Sequence, residues 1–570
     1  MVAFAGKFEA SQPPAEDRIT NAADALVRAL EAEGVTTVFG YPGGAIMPVY
    51  DALTYTKITH ILARHEQGAA FAADGYARVS GEVGVCLATS GPGMTNLITA
   101  IADAYADSVP MVCIVGQVAQ AMMGTDAFQE VDCSGIAMPV VKHSFIVRDP
   151  AELASITHEA MHIARSGRPG PVLIEVPKDV AAAPVTHITS EPRAMTTAPR
   201  DDESTIASAT ALIARAKSPL FYIGGGTVIA GATDAMRDIV KRTGIPAVAT
   251  LNALGVMPTN DENYIGMLGM HGTRAANTAV QECDLLIAVG ARFDDRVTGK
   301  ADTFAPNAKI IHMDVDASEI SKICAADIGM NGCLKANLAA MQPEMSDISA
   351  WRDYVFNMRE ECAFPYDKAP GSGVYAPKLL RDLSRAAGPD AVFTCDVGQH
   401  QMWVAQHCEF SRPEAHISSG GLGAMGFGIP TGIGAKIAEP DAQVITITGD
   451  GSIMMNIQEL ATLNRYGIPL KMVLLDNSCL GMVRQWQTLF YAGNYSEIDL
   501  SDNPDFAAVA RAFGVEGFSV DNAEDVPAAI ERLLAADGPV LAHVKIDPRE
   551  NVWPLVPPGQ SISNMMEDEK

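Results

Sequence analysis

The sequence predicts an α/β protein built from three doubly wound parallel-sheet domains. Short, continuous apolar segments recur along the whole chain, and stretches with helical spacing alternate with them. Strands that are apolar at every position are buried on both faces, which is typical of parallel sheets covered by helices. Two polar or Pro/Gly-rich stretches then divide the chain into three pieces of similar size.

The predicted strands are the apolar segments of four to six residues that are rich in Val, Ile and Leu. They span residues 83–88, 111–115, 171–176, 220–223, 285–289, 310–313, 391–394, 444–448, 471–475 and 540–544. Residues 184–204, which include three prolines, and the Pro/Gly-rich residues 364–377 are the predicted linkers. The predicted domains are therefore 18–185, 200–345 and 375–548.

Composition limits the classes of function. The 570 residues carry a formal net charge of −27, which disfavours nonspecific binding to nucleic acid. No apolar run approaches the ~18 residues of a membrane span, and the first residues lack the apolar core of a secretory signal. A cytoplasmic protein without a membrane partner is expected. The ten cysteines form no CxxC pair, so reduced, mostly buried thiols are expected rather than metal ligands.

The segment 444–477 contains the main chemical signal. Two predicted strands end in Asp450 and Asn477, at the same edge of a parallel sheet, where ligands bind. A carboxylate and an amide oxygen suit Mg²⁺, which prefers a few protein oxygens together with phosphates. Gly449 and Gly451 allow a close approach, and Ser452 with the amides after it is predicted to open a helix that favours phosphate. The residues alone equally allow a tight turn in which Asp450 caps a helix.

A second glycine motif competes with this interpretation. Residues 421–426 match GxGxxG, and two acidic residues follow about twenty positions later, as in a nicotinamide dinucleotide site. The preceding segment, HISSG, is short and polar for the strand that such a site requires. Further glycines continue to position 434, which favours close backbone packing over dinucleotide binding.

Several motifs together resemble one enzyme family. GDGS at 449–452, with Asn477 placed 27 residues after Asp450, resembles the diphosphate motif of thiamine diphosphate enzymes. RHEQG at 64–68 and ATSGPG at 88–93 look like a pyrimidine-domain signature. GARFDDRVTG at 290–299 and LGMVRQWQ at 480–487 resemble FAD-domain and substrate-channel segments. From about residue 18 to VPPG at 556–559, the chain resembles the catalytic large subunit of acetohydroxyacid synthase, also called acetolactate synthase.

The resemblance implies a reaction and its cofactors. Pyruvate would be decarboxylated on thiamine diphosphate, and the hydroxyethyl carbanion/enamine would attack pyruvate or 2-ketobutyrate. The products, 2-acetolactate and 2-aceto-2-hydroxybutyrate, lead to the branched-chain amino acids. Mg²⁺ and a largely structural FAD are implied as further cofactors.

The resemblance also implies the site residues. Glu66 would activate thiamine diphosphate, and Asp450, Asn477 and the carbonyl of Cys479 would bind Mg²⁺. Other residues implied to hold thiamine diphosphate are Gln399, His400, Gly423, Met425, Gly451 and Ser452. Those implied to hold FAD are Arg168, Gly224, Gly225, Thr250, Leu251, Met270, His271, Gly290, Arg292, Asp294 and Asp314. Substrate contacts would be Phe128, Gln129, Lys178, Arg296 and Trp486, the last favouring 2-ketobutyrate.

Without the resemblance, ordinary roles would be preferred for several of these residues. Glu66 would be a solvated helix residue, His400 a loop histidine, Arg296 part of a surface ion pair and Trp486 a core residue. One departure is visible, since many relatives have Asn where this chain has Asp476.

Related enzymes are the alternatives to acetohydroxyacid synthase. Glyoxylate carboligase lacks the activating glutamate, and the catabolic acetolactate synthase lacks the FAD signature. Pyruvate oxidase, an FAD-containing thiamine diphosphate enzyme, remains the alternative that the residues exclude least. A catalytically inactive scaffold would be expected to have lost Glu66, Asp450 or Asn477.

The resemblance implies at least a homodimer, or a homotetramer, because family members build each active site between two subunits. Whether a small regulatory subunit joins the chain is left open by the sequence.

Overall fold

The computed structural model describes residues 19–185, 190–366 and 373–568. Residues 1–18, 186–189, 367–372 and 569–570 lie outside the described residues, and the two internal segments belong to the two predicted linkers. The described part forms three six-stranded sheets in which every strand pair is parallel, which confirms the predicted fold class.

The N-terminal sheet has the strand order β2-β1-β3-β4-β6-β5. Its strands are β1 (Thr37–Gly40), β2 (Thr59–Leu62), β3 (Gly84–Ala88), β4 (Met111–Gln117), β5 (His143–Ile146) and β6 (Pro171–Pro177). Its helices are α1 (Ala22–Ala32), α2 (Met47–Leu53), α3 (Glu66–Ser80), α4 (Pro92–Asp107), α5 (Cys133–Ala137), α6 (Leu153–Arg165) and α7 (Lys178–Ala182).

The central sheet has the order β12-β11-β10-β7-β8-β9, the arrangement of dinucleotide-binding sheets, with its switch point between β7 and β10. The strands are β7 (Pro219–Ile223), β8 (Ala247–Ala249), β9 (Tyr264–Met267), β10 (Leu285–Val289), β11 (Lys309–Met313) and β12 (Ile328–Met330). The helices are α8 (Glu203–Arg215), α9 (Gly226–Ile229), α10 (Thr233–Thr243), α11 (Arg274–Glu282), α12 (Asp295–Thr298), α13 (Leu334–Ala340) and α14 (Ser349–Glu361).

The C-terminal sheet, β14-β13-β15-β16-β18-β17, repeats the strand order of the N-terminal sheet. Its strands are β13 (Val392–Cys395), β14 (His416–Ser418), β15 (Val444–Gly449), β16 (Lys471–Asp476), β17 (Glu516–Val520) and β18 (Val540–Lys545). Its helices are α15 (Ala376–Ala387), α16 (Gln399–His407), α17 (Gly428–Ala438), α18 (Asp450–Ile453), α19 (Leu460–Tyr466), α20 (Gly481–Phe490), α21 (Phe506–Ala512) and α22 (Val526–Ala535).

The crossover between β15 and β16 corrects one prediction. The helix expected to open at Ser452 begins two residues earlier, at Asp450, and α18 ends after four residues. The chain then turns at Asn456, whose side-chain amide donates to the carbonyl of Gly426 at 2.8 Å. That bond ties the crossover to the glycine-rich loop before α17.

A buried ionic cluster holds the N-terminal domain together at its contact with the other two. The Arg78 guanidinium lies 2.6 Å from a carboxylate oxygen of Asp74, 3.1 Å from one of Asp107 and 3.9 Å from one of Asp103. All three carboxylates are buried. Burial of a charge is costly unless it is paired, so these groups stabilise the fold only as a set.

The same carboxylates bind the other domains. Asp107 accepts hydrogen bonds from the backbone amide of Gly420 in the C-terminal domain at 2.8 Å and from the side chain of Asn252 in the central domain at 2.9 Å. Asp103 accepts a hydrogen bond from the hydroxyl of Ser419. The end of α4 is therefore the point where all three domains meet.

All ten cysteines lie in the described part of the chain, eight of them buried, and each is a free thiol. Among the described residues, no helix combines the length and the apolar character that crossing a membrane would require.

Asp103 gives the junction a predicted pH dependence. Burial, with the neighbouring Asp107 and Asp74, raises the pKa of Asp103 to about 8, whereas an unfolded aspartate has a pKa of about 3.9. Folding therefore takes up a proton between these values. The stability due to that proton is fully present below pH ~4 and is lost as the pH rises to ~8.

We expect Asp103→Asn, which keeps the acceptor for Ser419 but cannot ionise, to gain melting temperature relative to the unmodified chain as the pH rises from 6 to 9. Scanning calorimetry at several pH values measures this difference. Asp353→Asn, on the exposed side of α14, is the control, and an Asp103→Asn curve parallel to that control would contradict the prediction.

Candidate functional site

A cavity of about 1590 Å³ lies where the three domains meet. Its walls come from the loops after β13, β15 and β16, from the loops after β7 and β10, and from the C-terminal ends of α3 and α4. These loops follow the carboxyl ends of strands, and in two of the sheets they flank the switch point. The cavity thus lies where doubly wound sheets bind ligands.

Asp450 lies in the wall of this cavity, and one oxygen of its carboxylate lacks a partner. Only 3% of the residue is exposed, and its Oδ2 atom has no hydrogen-bond partner among the described residues. Burial, and then the nearby Asp476 carboxylate, raises the pKa of Asp450 to about 7. The residue does not cap a helix, since the N-cap of α18 is Gly449, without a side-chain bond. The unpartnered oxygen is suited to bind a cation, which would neutralise the carboxylate.

Asn477 ends the neighbouring strand, as the sequence predicted, and only 7% of it is exposed. Its side-chain oxygen accepts from the amide of Cys479 at 3.2 Å, and its side-chain nitrogen donates to Gln399 at 3.2 Å. Asp450, Asn477 and Cys479 all line the cavity. The structure therefore brings the three predicted metal ligands to one wall.

His400 corrects a second expectation, because it lies in the first turn of α16 and not in a loop. Burial lowers the pKa of His400 to about 3, so the ring is neutral, and its Nε2 atom has no partner in the described part of the chain. A Cβ atom on Gly398 or Gly449 would lie 2.8 Å from the ring, so both neighbours must be glycine. The N-terminus of α16 and this imidazole both suit a phosphate group.

Met425 reaches across the cavity from the glycine-rich loop, its methyl group 3.5 Å from where a Cβ of Gly451 would lie. Gly423, with φ of 71°, has the left-handed backbone that the loop requires. The loop is held from both ends: Ser419 and Gly420 bind α4, and the amide of Gly426 donates to Asp396 at 2.8 Å. The GxGxxG motif thus forms part of this cavity wall.

The central domain contributes its own switch point to the cavity. The chain after β7 passes so close to the chain after β10 that a Cβ on Gly224 would collide with the carbonyl of Gly290. Asp314, which ends β11, is mostly buried, and burial raises its pKa to about 6. All eleven predicted FAD residues line this cavity: Arg168, Gly224, Gly225, Thr250, Leu251, Met270, His271, Gly290, Arg292, Asp294 and Asp314.

Two of those side chains also join domains. Arg292 donates to the carbonyl of Ala106 at the end of α4 at 2.8 Å. Arg168 donates to Ser108 at 2.8 Å and to Glu319 at 2.9 Å. Both arginines therefore tie the N-terminal and central domains together as well as lining the cavity.

Arg296 and Trp486, the predicted substrate contacts, line the same cavity. The Arg296 side chain is more than half exposed and lies 3.7 Å from the sulfur of Met270. Trp486 packs edge-on against Phe490 at 5.7 Å, and its indole N–H has no partner in the described residues. Neither residue belongs to the interior of a domain core.

Four predicted residues do not line this cavity. Glu66 is buried at the start of α3, where Asn96 donates to its Oε2 atom at 2.9 Å. Phe128 is 88% exposed, and Lys178 is exposed as well. Gln129 lies against the turn at Gly91, close to Glu66 in the N-terminal domain. Within one chain, the structure does not join this group to Asp450.

Asp396 does not line the cavity but holds the glycine-rich loop that does, and the sequence argument missed it. It follows β13 and accepts hydrogen bonds from Val397 at 2.9 Å and Gly426 at 2.8 Å, and burial raises its pKa to about 6. The signal that identified Asp450, an acid directly after an apolar strand, is also present at 391–396.

Comparison with known protein families agrees with this geometry. The models for the N-terminal TPP binding domain, the central domain and the C-terminal TPP binding domain of thiamine pyrophosphate enzymes match residues 20–136, 206–341 and 396–544. The fold and its cavity are those of a thiamine pyrophosphate enzyme.

Individual relatives show which family of thiamine pyrophosphate enzymes the chain resembles. The acetolactate synthase isozyme 2 large subunit of Escherichia coli is 53% identical over 96% of this chain and 99% of the relative. The acetolactate synthase large subunit of Parasynechococcus marenigrum is 47% identical over 98% and 92%. The isozyme 1 large subunit of Escherichia coli is 45% identical over 95% and 97%. The chain belongs to the acetolactate synthase large-subunit family.

The buried carboxylate of Asp450, with its unpartnered Oδ2 atom, leads to a prediction about stability. We expect Asp450→Asn to raise the melting temperature of the metal-free chain at pH 8 by a few degrees, because it removes a buried negative charge beside Asp476. Added Mg²⁺ with thiamine diphosphate should then stabilise the variant much less than the unmodified chain. Differential scanning fluorimetry measures both shifts. Equal stabilisation of the two proteins by the added ligands would contradict the predicted role.

Proposed function

We propose that this chain catalyses the acetolactate synthase reaction. It would decarboxylate pyruvate and join the two-carbon unit to pyruvate or 2-ketobutyrate, giving CO₂ and 2-acetolactate or 2-aceto-2-hydroxybutyrate. The observation that carries the proposal is the buried, unpartnered Oδ2 atom of Asp450 in a cavity that also contains Met425 and His400. This wall has the oxygen ligands that Mg²⁺ needs when it binds a diphosphate.

Thiamine diphosphate, when bound, supplies the carbon nucleophile and the electron sink for decarboxylation. Asp450, Asn477 and the Cys479 carbonyl would hold Mg²⁺. His400, Gln399, Gly451 and Ser452 would hold the diphosphate. Met425, which projects from a loop held at both ends, would support the bent conformation of the cofactor.

Glu66 is suited to hold a proton for the cofactor's pyrimidine ring. Asn96 donates to its Oε2 atom and thereby fixes the carboxyl group. Its Oε1 atom lies 3.5 Å from where a Cβ of Gly93 would be, so the glycine leaves room on that side. Because the residue is only 9% exposed, water competes little for that oxygen atom.

The central domain would hold FAD. Its strand order, the contact of Gly224 with Gly290 and the acid that ends β11 are features of dinucleotide-binding sheets. The overall reaction has no net redox change, so a structural role for the flavin is proposed and no hydride step is assigned.

The acceptor 2-keto acid would bind between Arg296 and Trp486. The planar guanidinium suits a carboxylate, and the indole ring would contact the acceptor's alkyl group. A preference for 2-ketobutyrate is proposed because its ethyl group would bury more apolar surface against the ring than the methyl group of pyruvate.

A homodimer, or a homotetramer built from it, is proposed because exposed large apolar side chains are most numerous on the N-terminal and C-terminal domains. Such patches mark interaction surfaces when they are contiguous. They include Tyr41, Met47, Met122, Phe128, Ile136 and Met138 in the N-terminal domain and Leu422, Met454, Met455, Phe490, Tyr491 and Tyr495 in the C-terminal domain. Pairing these surfaces would bring Glu66 of one subunit to the Asp450 wall of the other. A small regulatory subunit, suggested by relatives named as large subunits, and a cytoplasmic location are also proposed.

The first test is acetolactate formation from pyruvate, with thiamine diphosphate, Mg²⁺ and FAD omitted one at a time while flavin absorbance is followed. Product that requires all three, with the flavin remaining oxidised, is expected. Flavin bleaching without acetolactate would support a pyruvate oxidase and would overturn the proposal.

The second test addresses the shared site. Glu66→Gln and Asp450→Asn are each expected to lose most activity. When the two variants are unfolded and refolded together, mixed dimers should regain activity, because one of their two sites combines an intact Glu66 with an intact Asp450. Activity that stays at the level of the single variants, although mixed dimers are detected by native mass spectrometry, would refute a site shared between subunits.

A further inference from the structure

Asp476 ends β16, directly before the proposed metal ligand Asn477, and the structure shows what surrounds it. We propose that Asp476, His543 and Lys545 form a positioning network for the metal-binding turn 476–479, and that Lys545 makes the aspartate necessary. This inference rests on the proposed Mg²⁺ site. None of the three residues is assigned a contact with the metal itself.

One carboxylate oxygen of Asp476 shapes the turn. Its Oδ1 atom accepts from the amide of Ser478 at 2.8 Å and from the Ser478 hydroxyl at 3.2 Å. Ser478 has a φ of 54°, a left-handed backbone that costs free energy outside glycine. The two bonds therefore hold a strained residue directly between Asn477 and Cys479, the two proposed ligands that follow the strand.

The other carboxylate oxygen binds the neighbouring strand. The Oδ2 atom of Asp476 lies 2.7 Å from Nε2 of His543 and accepts a hydrogen bond from the ammonium group of Lys545. Lys545 pairs with Asp476 in the sheet register, and His543 lies two residues earlier, on the same face of β18. Both partners thus approach the same oxygen from one side.

Two of the three residues are closed off from solvent. Asp476 is 1% exposed and His543 is 3% exposed, whereas the Lys545 side chain is 47% exposed. On the other side of the imidazole, the Asp505 carboxylate is 3.8 Å from Nδ1, and Phe506 packs edge-on with ring centroids 5.5 Å apart. Water therefore has little access to Asp476 and His543 themselves and reaches the network along the Lys545 side chain.

An asparagine at 476 would keep the hydrogen bonds with Ser478 and lose the one with Lys545. Its oxygen could still accept from Ser478, and its NH₂ group could donate to Nε2 of His543 in the Nδ1–H tautomer, but the Lys545 ammonium group would lose its acceptor, since two donors cannot satisfy each other. The side chain would either flip to serve Lys545, releasing Ser478, or leave the ammonium group without this partner. Either change would move the turn that presents Asn477 and the Cys479 carbonyl.

The test is a comparison of Mn²⁺ affinity, with thiamine diphosphate present, measured by electron paramagnetic resonance on the assembled protein. Asp476→Asn is expected to weaken Mn²⁺ binding at least about 10-fold, the range seen when residues that orient metal ligands are lost. Asp476→Asn combined with Lys545→Met should recover binding to within about 3-fold of the unmodified chain, because the donor conflict is removed.

Asp347→Asn is the matched control. Asp347 is exposed, lies in the central domain and forms the same Asp-x-Ser turn, accepting from the amide of Ser349 at 2.9 Å. The control variant should leave the Mn²⁺ affinity unchanged. Thermal melting checks that each variant is folded. If Asp476→Asn binds Mn²⁺ normally, or if the double variant is no better than the single one, the network is refuted. If Asp450→Asn also binds Mn²⁺ normally, the proposed metal site fails instead, which separates the two hypotheses.

Discussion

The guanidinium of Arg78 is the charge on which the three-domain arrangement depends. Three buried carboxylates surround it, and burial raises the pKa of Asp74 and Asp103. Without the cation these groups would repel one another in a medium that solvates them poorly. With it, Asp103 and Asp107 remain available as acceptors for Ser419 and Gly420 of another domain. The cavity exists because its walls are joined at this point.

Helix α4 connects the region around Glu66 with the loop that presents Met425. Near its N-terminus Asn96 fixes Glu66, and at its C-terminus Asp107 fixes the loop that presents Met425. Its 16 residues span roughly 24 Å at 1.5 Å per residue. In the proposed homodimer these two ends serve different active sites. The geometry of each site is then set by a rigid element that also belongs to the other site.

The sequence predicted the centre of each sheet better than its periphery. All ten predicted strands are present, each with bounds within two residues of the prediction. The unpredicted strands have three to five residues, and most lie toward the outside of a sheet, as β5, β9, β12, β14 and β17 do. An outer strand is covered less completely, so its residues need not be continuously apolar. The apolar pattern, which arises from burial on both faces, is correspondingly weak there.

The same distinction applies to the candidate site: the local sequence located some of its residues, whereas others depend on packing between distant segments. A strand end locates Asp450 and Asn477 because topology alone brings them to one edge of the sheet. It says nothing about the charges that balance them, which come from distant parts of the chain: His543 and Lys545 lie 67 and 69 residues after Asp476. Glu66 and Phe128 were identified only through the resemblance, since no local pattern marks them. The positions of the proposed metal ligands follow from the local sequence. The groups that balance their charge are brought to them by tertiary packing. The role of an acid such as Asp476, next to a predicted metal ligand, can therefore be interpreted only once its partners are known.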